Sequence, residues 1–326
     1  MANRMIHTPS YLATADIYEY WDYASGQWVI TDGWYAKSGG NIAYAYKNFD
    51  SQSGWTVGLL FRITSTTTDN RAIIAFQNDS TTQTDLRFNA ATGLFYVTRN
   101  GTILDTGTTT LGISEEVYVE FQSTFADAGG ICKVNLNGTS EIDFTGDTNY
   151  DSTTTNRVWL SAGNSWFQLK DIYINDNSGG VDDSFWGPIN IATQTVATDG
   201  THTDFTPLSS TNASNVDDTS IDGDTTYNYS TTANDIDTFN VTSTGYSTGT
   251  VKGVEWVSQV RQVETGANPR IAPVYRINST DYVGSDIQPS TAYMLLTQQF
   301  NQSPDTSSAW TLSELDGMEV GYKRTA

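Results

Sequence analysis

From Trp55 onward, apolar and polar residues alternate in short runs, the period-two signature of strands with one buried face. WTVGLLFRIT (55–64), RAIIAFQN (71–78), DLRFNA (85–90), GLFYVTRNGTIL (93–104), EEVYVEFQSTF (115–125), ICKVNLNGTSEIDF (131–144) and RVWLSAG with FQLKDIYIND (157–176) predict the strands of a sandwich. Asn100-Gly101 and Asn137-Gly138 each stand between β-formers, the pair that accepts the positive φ angles of a type I′ hairpin turn. The pattern breaks in the Gly- and Asp-rich stretch NDNSGGVDDSFWG (175–187) and then restarts, which predicts a second domain. Its strands are expected at 188–196, 235–241, 250–264, 269–278, 280–285 and 291–300, with a last one in MEVGYKRT. Between them WTLSELDG (310–317) predicts a helical turn capped by Thr311, with Glu314 completing a capping box. The expected architecture is all-β: two β-sandwich (jelly-roll) domains in tandem, residues 1–187 and 188–326.

The first half resembles a laminin-G-like, concanavalin-A-type jelly roll over roughly residues 15–187. The resemblance rests on WTVGLLFRI, on EEVYVEFQSTF followed by KVNLNGTSEI, where Asn137 replaces the Asp of that family's hairpin, and on LKDIYIND. It implies a sandwich that binds glycans or proteins and implies no catalysis. One group within that fold, the laminarinase-type glycosidases, carries three acids on a strand face, because a retaining mechanism needs two carboxyls about 5 Å apart. Glu141 and Asp143 start that pattern, but Thr145 and Gly146 stand where the further acid belongs. The second half resembles a β-sandwich module of tailed-bacteriophage virion proteins. That likeness is carried by FWGPINI, DGTHTDFTP (199–207), DDTSIDGDTTYNYSTTANDIDTFNV (217–241), VKGVEWVSQVR, IAPVYRINSTDYVGS and AWTLSELDGMEVGYKR. The tandem order of the two halves implies a virion component.

Composition narrows the chemistry. The chain has 326 residues, 37% of them hydrophobic, enough for two cores, and a formal charge of −21 from 37 acidic and 16 basic residues. Phosphate backbones are bound by clustered Lys and Arg, which are scattered here, and anionic membranes repel such a chain; neither nucleic acid nor membrane is an expected partner. The N-terminal stretch lacks the apolar run of about seven to fifteen residues that a signal peptide needs, so synthesis in a host cytoplasm is expected. With Cys132 alone there is no internal disulfide, and its alternation with Ile131 and Val134 marks it as interior.

Candidate sites are few. Residues 215–239 hold six aspartates among Thr, Ser and Asn, yet no start position gives the acids, Gly and terminal Glu of an EF-hand loop. A surface β-edge or loop is expected there, so no cofactor is expected; an irregular Ca²⁺ site on Asp218, Asp222 and Asp224 stands as the alternative. His202 is read as a loop residue of DGTHTDF, His7 lies near the chain start, and Ser38-Gly39-Gly40 and Ser178-Gly179-Gly180 lack the Lys of a phosphate loop. Tyr18, Tyr20, Trp21, Tyr23, Trp28, Trp34 and Tyr35 crowd one short segment. Sugars dock C–H faces on such rings; half of the seven are expected to close the first sandwich and the others to pack against a neighbouring subunit, and Trp21, Trp28, Trp34 and Tyr35 are the candidates for a place outside a monomer's core, as subunit contact or sugar platform. Trp166, in AGNSWF, is the lone candidate for a rim platform. The expected protein is a non-enzymatic, surface-exposed phage tail appendage or adhesion protein. Its expected partners are other virion proteins, further copies of itself in a trimer, and host-surface polysaccharide. A head decoration protein and a polysaccharide-degrading enzyme are the rivals.

Overall fold

The computed structural model describes residues 5–8, 20–25, 28–37, 43–65, 70–163, 167–177, 184–218, 222–263 and 268–326. The chain forms two compact units, Met1–Ile191 and Ala192–Ala326, both built of antiparallel strands.

The first unit contains β1 (Met5–His7), β2 (Tyr23–Ala24), β3 (Trp28–Thr31), β4 (Trp34–Lys37), β5 (Ala43–Gln52), β6 (Gly54–Ile63), β7 (Asn70–Asn78) and β8 (Thr81–Asn89). It continues with β9 (Leu94–Arg99), β10 (Thr102–Thr106), β11 (Glu116–Thr124), β12 (Gly130–Leu136), β13 (Thr139–Gly146), β14 (Thr155–Gly163) and β15 (Phe167–Asn175). Among the described residues these make two sheets. One has the order β13-β12-β11-β6-β15-β4-β3 with β1 also on β15; the other runs β10-β9-β8-β7-β14-β5-β2. Their inner faces meet in a phenylalanine core: Phe61 of β6 lies 5.5 Å from Phe88 and 5.6 Å from Phe95, and Phe121 of β11 stacks on Phe76 at 5.0 Å. Each such ring, removed from water, contributes about 1.5–3 kcal/mol. Trp55 ties the two sheets by donating its indole N–H to Thr155 Oγ1 at 2.7 Å.

Both Asn-Gly turns are present as expected, with φ of 42° and 87° at Asn100 and Gly101 and of 50° and 78° at Asn137 and Gly138. The Asn137 side chain also accepts from the Tyr118 N–H at 2.9 Å, fixing the β12–β13 hairpin to β11. Cys132 is buried beside Ser123.

The boundary lies at Ile191/Ala192 rather than at 187/188. The reason is a strap, residues 184–191, that belongs to the first unit. Trp186 stacks on Tyr173 with ring centroids 4.4 Å apart, and its N–H donates to the Tyr173 hydroxyl at 3.1 Å. The Gly187 N–H donates to the buried Glu120 carboxylate at 2.8 Å, and Ile189 packs against the same cluster. Tyr173 can lie there because Gly58 beneath it has no side chain; a Cβ at that position would sit 2.1 Å from the ring. Residues 188–195 form no strand, contrary to the expectation from PINIATQTV, and 188–191 of them lie in this strap.

The second unit contains β16 (Val196–Thr203), β17 (Thr206–Pro207), β18 (Asn228–Tyr229), β19 (Ile236–Val241) and β20 (Val254–Val260). After these come β21 (Ile271–Ile277), β22 (Thr280–Val283), β23 (Met294–Phe300), the short helix α1 (Leu312–Gly317) and β24 (Glu319–Arg324). A sheet of order β16-β19-β24-β21-β22 packs against the β20–β23 ribbon, with β17–β18 as a small second ribbon. Phe239, Tyr275 and Tyr322 from the sheet share one core with Trp256 and Leu296 from the ribbon. Thr311 caps α1, accepting from the Glu314 N–H while the Glu314 carboxylate accepts from the Thr311 N–H at 2.8 Å, the predicted capping box. DGTHT is not a loop: His202 stands on β16. The Asp-rich stretch ends in β19, which pairs with β16 on one side and β24 on the other and so is interior rather than an edge; its Asp237 is buried and satisfied by Asn212 at 2.7 Å and the Phe205 N–H at 3.0 Å.

Candidate functional site

In β5 the sequence AYAYK inverts the usual arrangement of a half-buried strand. Ala43 and Ala45 point into the sandwich and are fully buried, while Tyr44 and Tyr46 alternate onto the outer face. β5 pairs with β2 on one side, placing Tyr23 opposite Tyr46, and with β14 on the other, placing Trp159 opposite Tyr46 and Ser161 opposite Tyr44. Trp159 faces out because its neighbours Val158 and Leu160 fill the core. The result is a row of four rings across three strands. Tyr23 lies 5.4 Å from Tyr44 and 5.3 Å from Tyr46, and Tyr44 lies 5.7 Å from Trp159, all near-parallel. Tyr23 is 41% exposed and the other three are half-buried. A hydrogen bond with the Tyr23 hydroxyl, and then burial, raises the Tyr44 pKa above the ordinary phenol value, so the Tyr44 hydroxyl stays protonated at neutral pH. Polar side chains border the rings. Arg157 stacks over Tyr46 with its guanidinium carbon 3.9 Å from the ring centroid, and its Nε donates to Asn48 Oδ1 at 2.8 Å. An outward row of parallel rings with amide and guanidinium groups at its border can hold the C–H faces and hydroxyls of a sugar chain.

The residues that sequence reasoning had favoured lie elsewhere. Trp21, Trp28, Trp34 and Tyr35 are buried in the first unit, correcting their expected place outside a monomer's core. β3 and β4 extend the eight-stranded sheet, and their rings close its end: Trp28 packs edge-on to Tyr35 at 5.0 Å, and Arg62 and Lys170 cover Trp34 at 4.2 and 4.5 Å. His7 is at the centre of this cluster. It stacks on Tyr20 at 3.6 Å and bonds through Nε2 to the Tyr35 hydroxyl, which in turn accepts from the Trp21 indole N–H at 3.1 Å. Burial, and then the charge of Lys47, holds the His7 pKa well below its ordinary value. Among the described residues of that aromatic segment, only Tyr23 joins the row. Tyr18 and Trp166 lie outside the described residues.

The acids are engaged in the fold. Glu141 accepts from the N–H groups of Thr108 and Thr109 and from the Thr109 hydroxyl at 2.6 Å; although partial burial works against it, these bonds hold its carboxyl below the usual range. A general acid needs the opposite shift. Asp143 pairs with Lys133 at 3.1 Å. Asp224 is held by Arg261 at 2.6 Å and by the Tyr293 hydroxyl at 2.5 Å, which turns it away from any shared site with Asp218 and Asp222. Those two converge instead on the Thr226 hydroxyl, at 3.1 and 2.8 Å. Among the described residues no cluster of three or more His, Cys, Asp or Glu is arranged to hold a metal. His202 bonds Asp281 at 2.9 Å, and Arg276 holds the same carboxylate at 2.5 Å. Burial pushes the Cys132 thiol up to about 12.

No model of a known protein family matches the chain, and no curated protein matches it. Among solved structures, the alginate lyase Aly36B is similar over 52% of this chain and 96% of its own, at 11% identity and a TM-score of 0.39. The carbohydrate binding module CBM66 from Bacillus subtilis is similar over 47% of this chain and 94% of its own, at 12% identity and a TM-score of 0.36. Trypanosoma rangeli sialidase covers 46% of this chain with 26% of its own, at 8% identity and a TM-score of 0.37. Similarity this distant bears on neither ligand nor chemistry.

Proposed function

We propose that this protein is a non-enzymatic glycan-binding component of a phage particle, a tail appendage that holds host-surface polysaccharide on the outer face of its first sandwich. One observation carries the glycan reading: on β5 the alanines face the core and the tyrosines face out, so Tyr44 and Tyr46, with Tyr23 and Trp159, present rings where a folding requirement alone would place polar side chains. The engagement of Glu141 and Asp143 with Thr109 and Lys133 supports binding without hydrolysis. The virion setting rests on the resemblance of the two tandem halves. A single shallow row binds weakly, so assembly as a trimer supplies the grip, raising the effective concentration of the second and third sites into the mM range.

Affinity electrophoresis of the full chain through gels containing host polysaccharide tests the glycan reading. Retardation is expected for the natural protein and should be lost in Trp159→Ala and Tyr44→Ala. Equal retardation of all three would sink it. Particles lacking the protein should adsorb poorly to cells; normal adsorption, with the chain located at capsomer junctions, would reassign it to head decoration.

A further inference from the structure

We infer that the glycan held by this row carries an anionic group, a carboxylate or a sulfate ester, and that Arg157 is the residue that reads it. This deepens the proposed function and rests on it. Among the described residues, Arg62, Arg87, Arg99, Arg261, Arg270 and Arg276 each hold a carboxylate of this chain. In a chain with 37 acids and 16 basic residues that outcome is the expected one. Arg157 departs from it. It is bonded through Nε to the neutral Asn48 side chain and laid over the Tyr46 ring, and among the described residues it forms no ion pair.

The geometry is that of a preset fork. Asn48 stands directly opposite Arg157 in the β14–β5 pairing and takes the Nε–H, while Tyr46 supports the guanidinium plane from below. The paired Nη groups are left to a ligand, and a planar fork with two parallel N–H donors suits a carboxylate or sulfate better than a neutral hydroxyl. Because the ring and the amide already fix the side chain, little rotamer freedom remains to be lost on binding. The net charge of −21 does not prevent this, since at physiological ionic strength the field of distant charges decays over about 8 Å.

The test uses the full chain and two matched polymer pairs: polygalacturonate against its methyl ester, and dextran sulfate against dextran. Within each pair the backbone is the same and only the charge differs. Isothermal titration should give a preference of about tenfold or more for the charged member of at least one pair. The responding pair tells a carboxylate reader from a sulfate reader. Arg157→Gln should collapse that ratio toward one and Arg157→Lys should restore part of it, with unchanged melting temperatures showing that the fold is intact. Equal binding of charged and uncharged members, lost in Trp159→Ala, would overturn the anionic reading and leave the aromatic row standing. A charge preference that survives Arg157→Gln would remove Arg157 as its reader. Binding of none of the four polymers, with host polysaccharide also unbound, would overturn both readings.

Discussion

The buried imidazole of His7 makes the first unit sensitive to mild acid by an amount that can be worked out. In the folded protein its ring lies under Tyr20, faces Trp21 and Tyr35, and feels the charge of Lys47, which is itself only partly offset by Asp22 at 3.3 Å. The depressed pKa keeps the folded-state ring neutral across the mildly acidic range, whereas the unfolded chain titrates at about 6.5. The sign follows: stability is fully present above pH 6.5 and falls as the pH drops, because only the unfolded state takes up the proton. Between pH 7.5 and 5.5 the expected loss is RT ln 10, about 1.4 kcal/mol. Asp85 and Asp237, whose carboxyls are raised by burial, act in the opposite direction, so the comparison must be a double difference. Urea unfolding of the natural chain and of His7→Gln at both pH values supplies it. Glutamine can still accept from the Tyr35 hydroxyl but cannot titrate. The variant should lose about 1.4 kcal/mol less than the natural chain over the window. Equal losses in the two proteins would refute the buried, neutral assignment of His7.

Two further outcomes are expected. Gly58→Ala should destabilise the first unit by about 1–3 kcal/mol in urea unfolding, since its Cβ would force the Tyr173 ring off Trp186 and Glu120; an unchanged midpoint would mean the ring relocates freely. EDTA should leave the melting temperature within a degree or two, because Asp224 is already paired with Arg261. A fall of about 10 °C would instead reveal more than 1 kcal/mol of metal linkage.

Features encoded within a few residues were legible in the sequence. Alternation located β6–β15, Asn-Gly marked two hairpins, and Thr311 with Glu314 marked the capped helix, since each is set by local geometry. The aromatic row was not legible, although AYAYK carries its period. Alternation says which residues share a face, not which face is buried, and hydrophobicity alone assigns the tyrosines inward. The opposite assignment follows only from the folded sandwich, in which Ala43 and Ala45 are the buried residues. The N-terminal rings misled for a related reason: β2, β3 and β4 are two to four residues long, too short for a period to declare itself. The strap at 184–191 is held by isolated contacts, one ring on another and one N–H on a carboxylate, which leave no periodic trace.

That strap also has a mechanical meaning. It is the covalent path that leads out of the first unit at Ile191, and its attachments lie one after another along it rather than side by side. Tension drawn from Ala192 would break the Ile191 backbone bond to Asp171 first, then peel Ile189, then the Gly187 bond to Glu120, and then the Trp186 stack on Tyr173. Each contact would carry the load alone before passing it on, so the strap unzips at low force. Six residues, Trp186 to Ile191, span at most roughly 20 Å when fully extended, which sets the upper limit on the slack the strap can release. A pull on the chain at Ala192 would then yield by a small step at this strap, with the sheet beneath it left intact.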